Sequence, residues 1–504
     1  MTHSTKRPTR GLACWAALAF ACAAQADTVV WNGASGTDTN WSDGNNWAGS
    51  VSPAAADDVK FFDTGAVATV SNINNVADGA FSGTIGSLQY GNTNNFHTTL
   101  IAAGQTLNIT GTNGLSVFMP AQDTAAGPAK SVFATITGSG ATLNLNNTNA
   151  NLVINQSHTN SPGGRATLDL SGLDTFTANL NRLGIGTVSL PNSRNPGGGT
   201  GNNRCLGTLY LAKTNVIRLN YAVPLATYQA AANATNALEI SRNPANNSSA
   251  ISFLYLGQTN AFYVDSLGVG RDKASASAAG WLGFNPIFTN RNPSAYFRGI
   301  GGDSSRVTWW GIGDMNASAS SVQCSVGTCD FSCGTVDALV NVMSLARDGS
   351  PPTTASANNQ GTLTFTTGTV DVNTLYVGNQ SLGGIVSGDN FNACLGIVNV
   401  SGASATLVVN SNLVLGRTVT NNVTAQRTSG TLNVSQGVVR ANTISVGTFS
   451  TNNAINLMGG TLIVTNTAGT VGLPVTTLTL SNATLWLNVS SNAVPSVVVS
   501  SLQT

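Results

Sequence analysis

Only two histidines, His97 and His158, follow the first few residues of this 504-residue chain, and its single glutamate is Glu239. Nucleophilic catalysis of the Ser-His-Asp kind needs a histidine oriented by a third group, and no motif surrounds either ring. Both read as strand or loop side chains. Glycoside hydrolysis needs two carboxyl groups facing each other across the sugar bond, and Asp57-Asp58 is the only adjacent acidic pair. The nearest acid-plus-base groupings are Arg271-Asp272 and Arg347-Asp348, which recur at one point of a repeat and so read as corner ion pairs. A polysaccharide-acting enzyme would require Asp272, Asp348 or Asp371 to meet a basic partner in an open cleft. No catalytic residue is assigned, and no cofactor or metal is expected.

Two further groups invite a chemical reading. Cys324, Cys329 and Cys333 are spaced as a loop staple, and in an oxidising compartment a disulfide is the better reading than a metal knuckle, which wants tighter spacing and a fourth ligand. Cys205 and Cys394 read as small buried apolar residues. Trp281, Trp309 and Trp310 are candidate glycan contacts, because aromatic faces hold sugar rings; burial beneath a long loop accounts for them equally.

The elements that must position these residues are strands. The phrase Gly-Thr-Leu-x-(Val/Phe), a second apolar alternation, then x-(Leu/Ile)-x-Val-Gly runs from Gly361 to Gly378 and again from Gly430 to Gly447. In the second copy, residues 431–434, 437–440 and 443–446 are three apolar-patterned segments separated by two-residue corners. That is one triangular coil of a parallel β-helix, about 20 residues long. Copies fall about 30 to 40 residues apart, so loops must leave the stack after the closing phrase. Helical periodicity is nearly absent. The fold expected is all-β: a right-handed parallel β-helix with an N-terminal cap and long lateral loop insertions.

Residues 1–26 read as a secretory signal, with Lys6, Arg7 and Arg10 before an apolar run and Ala24-Gln25-Ala26 as the cleavage site. Its removal takes the formal charge from +1 to −2, since three basic residues leave. Residues 27–65 form a Trp-rich cap, 66–220 regular coils, 221–349 coils with long aromatic and cysteine-bearing insertions, and 350–504 regular coils that read as truncated at their end. Charged residues are 8% of the chain, apolar residues 41%, and glycines number 55, a composition for a turn-rich extracellular β protein. No basic cluster suits a nucleic-acid partner, no apolar stretch is long enough for a spanning helix, and the partner expected is a surface or extracellular polysaccharide.

Trp31-Asn32-Gly33, Asn40-Trp41-Ser42-Asp43 and Asn46-Trp47 at the start, Gly104-Gln105-Thr106-Leu107-Asn108-Ile109, and the Gly-Thr-Leu units resemble the large secreted bacterial β-solenoid proteins of the autotransporter-associated β-strand repeat type. The resemblance spans most of the mature chain. It implies a cell-surface or released passenger with adhesive or structural roles, and it transfers no catalytic residue. The β-barrel translocator and sorting tail of that family have no counterpart in this sequence.

Overall fold

The computed structural model describes residues 26–119, 130–158, 164–187, 190, 204–230, 235–243, 251–272, 280–315, 325–348, 359–381, 394–418, 428–450, 452–487 and 497–504. The chain is nearly all β, as its alternating pattern predicts. Among the described residues, thirty-one strands join in one sheet, and the pairings between strands are parallel except for Gln156–His158 against Arg204–Tyr210. One α-helix, Leu225–Gln229, is among the described residues.

The parallel pairings form three ladders. One joins Ser252–Leu256, Gly280–Phe284 and the starts of Val326–Asp348, Asn359–Gln380 and Cys394–Thr418 to Ser429–Val434 and Ala454–Met458. A second joins Thr259–Val264 and Ser294–Arg298 to the middles of the same three long strands. The third joins Leu238–Asn243, Ser266–Asp272 and Val307–Met315 to their ends. Each long strand therefore contributes to all three ladders, bending where the register shifts, as between Phe331 and Thr335 or Val372 and Thr374. Successive copies of the phrase sit side by side: Leu363 pairs with Val398, Val398 with Leu432, and Leu432 with Ile455.

Alternation along each strand sends one set of side chains into a common interior. Leu363, Val398, Leu432 and Ile455 are buried in one column, and Val377, Leu415 and Val446 in another. The outward set is dominated by amides and hydroxyls that bond along the stack. Asn456 donates to Asn433 Oδ1 and Asn433 to Asn399 Oδ1, each at 2.8 Å, and Asn399 donates to Thr364 Oγ1 at 2.9 Å. Asn144, donating to Asn108 Oδ1 at 2.8 Å, and Asn220, donating to Asn179 Oδ1 at 2.9 Å, repeat the device. Parallel register places like residues about 4.8 Å apart, where a carboxamide both donates and accepts but like charges repel. This accounts for a chain rich in asparagine and poor in charge.

At the N-terminal end Trp31, Trp41 and Trp47 are fully buried. Trp47 lies edge-on to Trp31 and Trp41 at 4.9 and 5.5 Å between ring centroids, and Phe61 stacks on Tyr90 at 5.1 Å. Trp41 donates to Asn75 Oδ1 at 3.0 Å and Trp47 to the Trp41 carbonyl at 2.9 Å. His97 closes this cluster, buried beside Phe61. One ring nitrogen, Nε2, lies 2.6 Å from the Phe62 carbonyl, and Nδ1 lies 3.0 Å from the Asn74 amide. A neutral ring donating from Nε2 and accepting at Nδ1 satisfies both, and burial holds its pKa down to about 4.

Candidate functional site

The densest group of charged side chains lies at the corner formed by the third ladder. The closing glycines, each after an aliphatic residue, occupy left-handed backbone there, with φ of 67° at Gly270, 68° at Gly313, 76° at Gly378 and 62° at Gly416; Ser241 and Ala346 take the same place at 60° and 55°. L-residues avoid this region, so the phrase keeps glycine where the chain turns its next side chain outward. The residue after each of these positions falls in one register column: Arg242, Arg271, Asp314, Arg347, Asn379 and Arg417.

Along this column the charges pair between strands. Arg347 donates to Asp314 through Nε at 2.6 Å and through Nη2 at 3.0 Å. Arg271 reaches Glu239 Oε1 at 3.1 Å, while Arg182 at 3.4 Å and Thr187 at 2.9 Å meet Oε2, and Arg242 lies 3.9 Å from Oε1. Glu239, Asp314, Arg271 and Arg347 are all buried. Burial pushes the Arg182 guanidinium below its ordinary pKa, and Glu239 offsets that shift. Ion pairs do stand at this corner, Arg271 with Glu239 and Arg347 with Asp314, each carboxylate on the preceding strand of the ladder; the side chains of the sequence neighbours Asp272 and Asp348 lie outside the described residues. The position after the left-handed residue was the signal that identifies the column.

The helix Leu225–Gln229 lies over this corner. Arg347 Nη1 donates to the Tyr228 carbonyl at 2.8 Å, and its guanidinium sits 4.7 Å from the Trp309 ring. Tyr228 packs with Trp309 and Val342 in a small cluster separate from the main interior, and its hydroxyl donates to Asp265 at 2.7 Å. Trp310 points the other way, into the main core. Both candidate glycan contacts of the Trp309-Trp310 pair are therefore buried, at 2% and 1% exposure. Trp281 is half-buried and belongs to an outward aromatic group with Phe253, Tyr255 and Tyr210; Tyr210 and Tyr255 stack at 4.5 Å with 4° between planes. Tyr210 and Tyr255 thus spend their faces on one another, whereas Trp281 is tilted 47° to Tyr255.

Beside the helix a cavity of about 260 Å³ is lined by Gln229, Trp309, Arg347, Tyr376, Asn379, Ser381 and Arg417. Arg417 stands 5.0 Å over the Tyr376 ring and 3.4 Å from Asn379 Oδ1. Neither the helix nor the cavity was foreseen from the sequence.

The other candidates are dispersed. Asp57 accepts from the Asp27 and Ala54 amides, whereas Asp58 accepts from Ser87 and Asn113, so this acidic pair does not face a common point. Asp371 does meet a basic partner, Arg306, at 2.9 Å, but Arg306 also caps the Val340 and Asp371 carbonyls and the pair lies outside the cavity. His158 falls in a strand, its side chain outside the described residues. Cys329 is buried, its thiol pushed up by burial, and Cys333 is exposed; the two do not bond to each other, and Cys324 lies outside the described residues. Among the described residues no group of three or more His, Cys, Asp or Glu side chains is arranged to hold a metal, and no helix is long and apolar enough to cross a membrane.

Searches for relatives returned nothing: no family model, curated protein or solved structure matches the chain.

Proposed function

We propose that this is a secreted, passenger-like β-solenoid protein with an adhesive or structural role at a cell surface. The three ladders are read as the three faces of a right-handed parallel β-helix, each long strand being one full turn, with the tryptophan cluster as its N-terminal cap and residues 1–26 as the export signal. The observation that carries this reading is the amide and hydroxyl ladder, Thr364 to Asn399 to Asn433 to Asn456, which gives the stack a neutral, self-satisfied outer surface. Such a surface suits a rod that displays loops, and it supports the resemblance to autotransporter-associated repeats. A carbohydrate-binding role is a second reading, favoured by the cavity beside Arg417.

Export and exposure are tested together. The full chain is expressed in a Gram-negative host and whole cells are treated with protease, followed by N-terminal mapping. A product beginning at Asp27 and outside the inner membrane supports the reading; an intact Met1 terminus retained in the cytoplasm refutes it.

A further inference from the structure

We infer that the cavity between the helix Leu225–Gln229 and the third ladder binds an acidic saccharide through a single carboxylate-bearing ring. This deepens the carbohydrate reading by naming a ligand class. Three observations carry it.

The first is a charge left over at one end of a column. Arg271 is matched by Glu239 and Arg347 by Asp314, each on the preceding strand of the ladder. Arg417 follows Asn379 in the same register, and its partners are the neutral Asn379 amide and the Tyr376 ring. Among the described residues, no carboxylate meets it. Arg347 has both sides of its guanidinium engaged, by Asp314 and by the helix carbonyls, so among the described residues Arg417 is the cavity cation that no carboxylate meets.

The second is the rest of the lining. Around Arg417 stand amides, Asn379 and Gln229, and the Tyr376 ring. One guanidinium fork matches one carboxylate. Neutral amides supply donors and acceptors for hydroxyls, and an aromatic ring offers the apolar face of a sugar its complement. A phosphate site would gather several cations or a nest of backbone N–H groups, and a polyanion would need a basic stripe.

The third is size. The volume of about 260 Å³ is below the range of roughly 300–1,000 Å³ for sites that enclose drug-sized ligands. It suits one monosaccharide ring of a longer chain.

The mature protein is titrated with methyl galacturonoside, methyl galactoside, acetate and inorganic phosphate, with binding read by calorimetry and saturation-transfer NMR. The uronoside is expected to bind at least tenfold more tightly than the neutral galactoside and than either small anion. Arg417→Gln is expected to weaken the uronoside at least tenfold, with Arg417→Lys between the two. Equal affinity for the uronoside and the galactoside overturns the proposal. So does phosphate or acetate matching the uronoside, or an Arg417→Gln protein that binds unchanged. Melting temperatures of both variants verify folding; should Arg417→Gln fail to fold, competition by the four ligands on the unaltered protein still decides. A failed titration leaves the export result standing, so the two readings fall separately.

Discussion

Gly327 abuts Gly313 so closely that a Cβ added to Gly327 would lie 2.2 Å from the Gly313 amide nitrogen. The same meeting recurs between Gly396 and Gly378 and between Gly280 and Gly270, each also at 2.2 Å. The glycine at the start of one first-ladder segment thus touches the left-handed glycine that closes the turn before it. The two halves of the repeated phrase are two sides of a single backbone contact.

Replacing Gly327 by Ala forces backbone against backbone and is expected to destabilise the protein by about 1–3 kcal/mol. Gly472→Ala, where nothing lies within 4 Å, is expected to stay within about 0.5 kcal/mol of the parent. Urea midpoints of the two variants check this, and equal midpoints would remove the contact from the account.

His97 gives a pH signature of known sign. Its folded pKa, about 4, lies below the ordinary value of 6.5, so the unfolded chain binds the proton more readily. The stability this ring contributes is complete above pH 6.5 and is lost as pH falls from 6.5 toward 4, by up to about 3 kcal/mol. Thermal melts between pH 7 and pH 4 of the parent and of His97→Gln are expected to converge as the pH falls. A parallel pair of curves would contradict the assigned neutral ring.

Removing one member of the Arg347–Asp314 pair strands a buried charge. Asp314→Ala is expected to cost about 3–5 kcal/mol, whereas the double change Asp314→Leu, Arg347→Met costs clearly less, because the charge leaves with its partner. Chemical denaturation of the single and double variants provides the comparison; a double variant as unstable as the single one would argue that packing, not charge, governs the corner.

The amide ladder sets a rule about charge. Changing Asn399 and Asn433 together to Asp places two carboxylates on adjacent strands where the parent has a 2.8 Å hydrogen bond. Their repulsion is expected to cost about 1–3 kcal/mol at pH 7. The penalty should shrink as pH falls and the carboxylates protonate, which denaturation at pH 7 and pH 4 measures.

Much of this was legible because the backbone repeats. Alternation around Leu432 and Val434 already separates inside from outside, and the Gly-Thr-Leu spacing places strand after strand. The corner was harder to read. Sequence proximity gives no hint that Arg271 meets Glu239, which is 32 residues earlier and adjacent only through strand pairing. Alternation likewise sends Trp310 inward and Trp309 outward, yet Trp309 is covered by Tyr228 from a helix of five residues. So short a helix is carried by its tertiary contacts, not by local propensity, and leaves almost no pattern.

In the proposed β-helix the rungs are interchangeable, and one of them can be excised. Asn456 and Asn433 are 23 residues apart and bond across one rung. Deleting residues 432–454, 23 positions, joins Thr431 to Ile455 and delivers Ile455 to the place Leu432 held, since Thr431 pairs with Ala454 and Leu432 with Ile455. A stack with nearest-neighbour contacts tolerates the loss of a unit, so the shortened protein is predicted to unfold cooperatively with parent-like β circular dichroism. Deletion of 432–443 alone, which breaks the register, is predicted to lose that cooperative transition. Loss of folding in the in-register deletion, to the same degree as in the out-of-register one, would contradict the account.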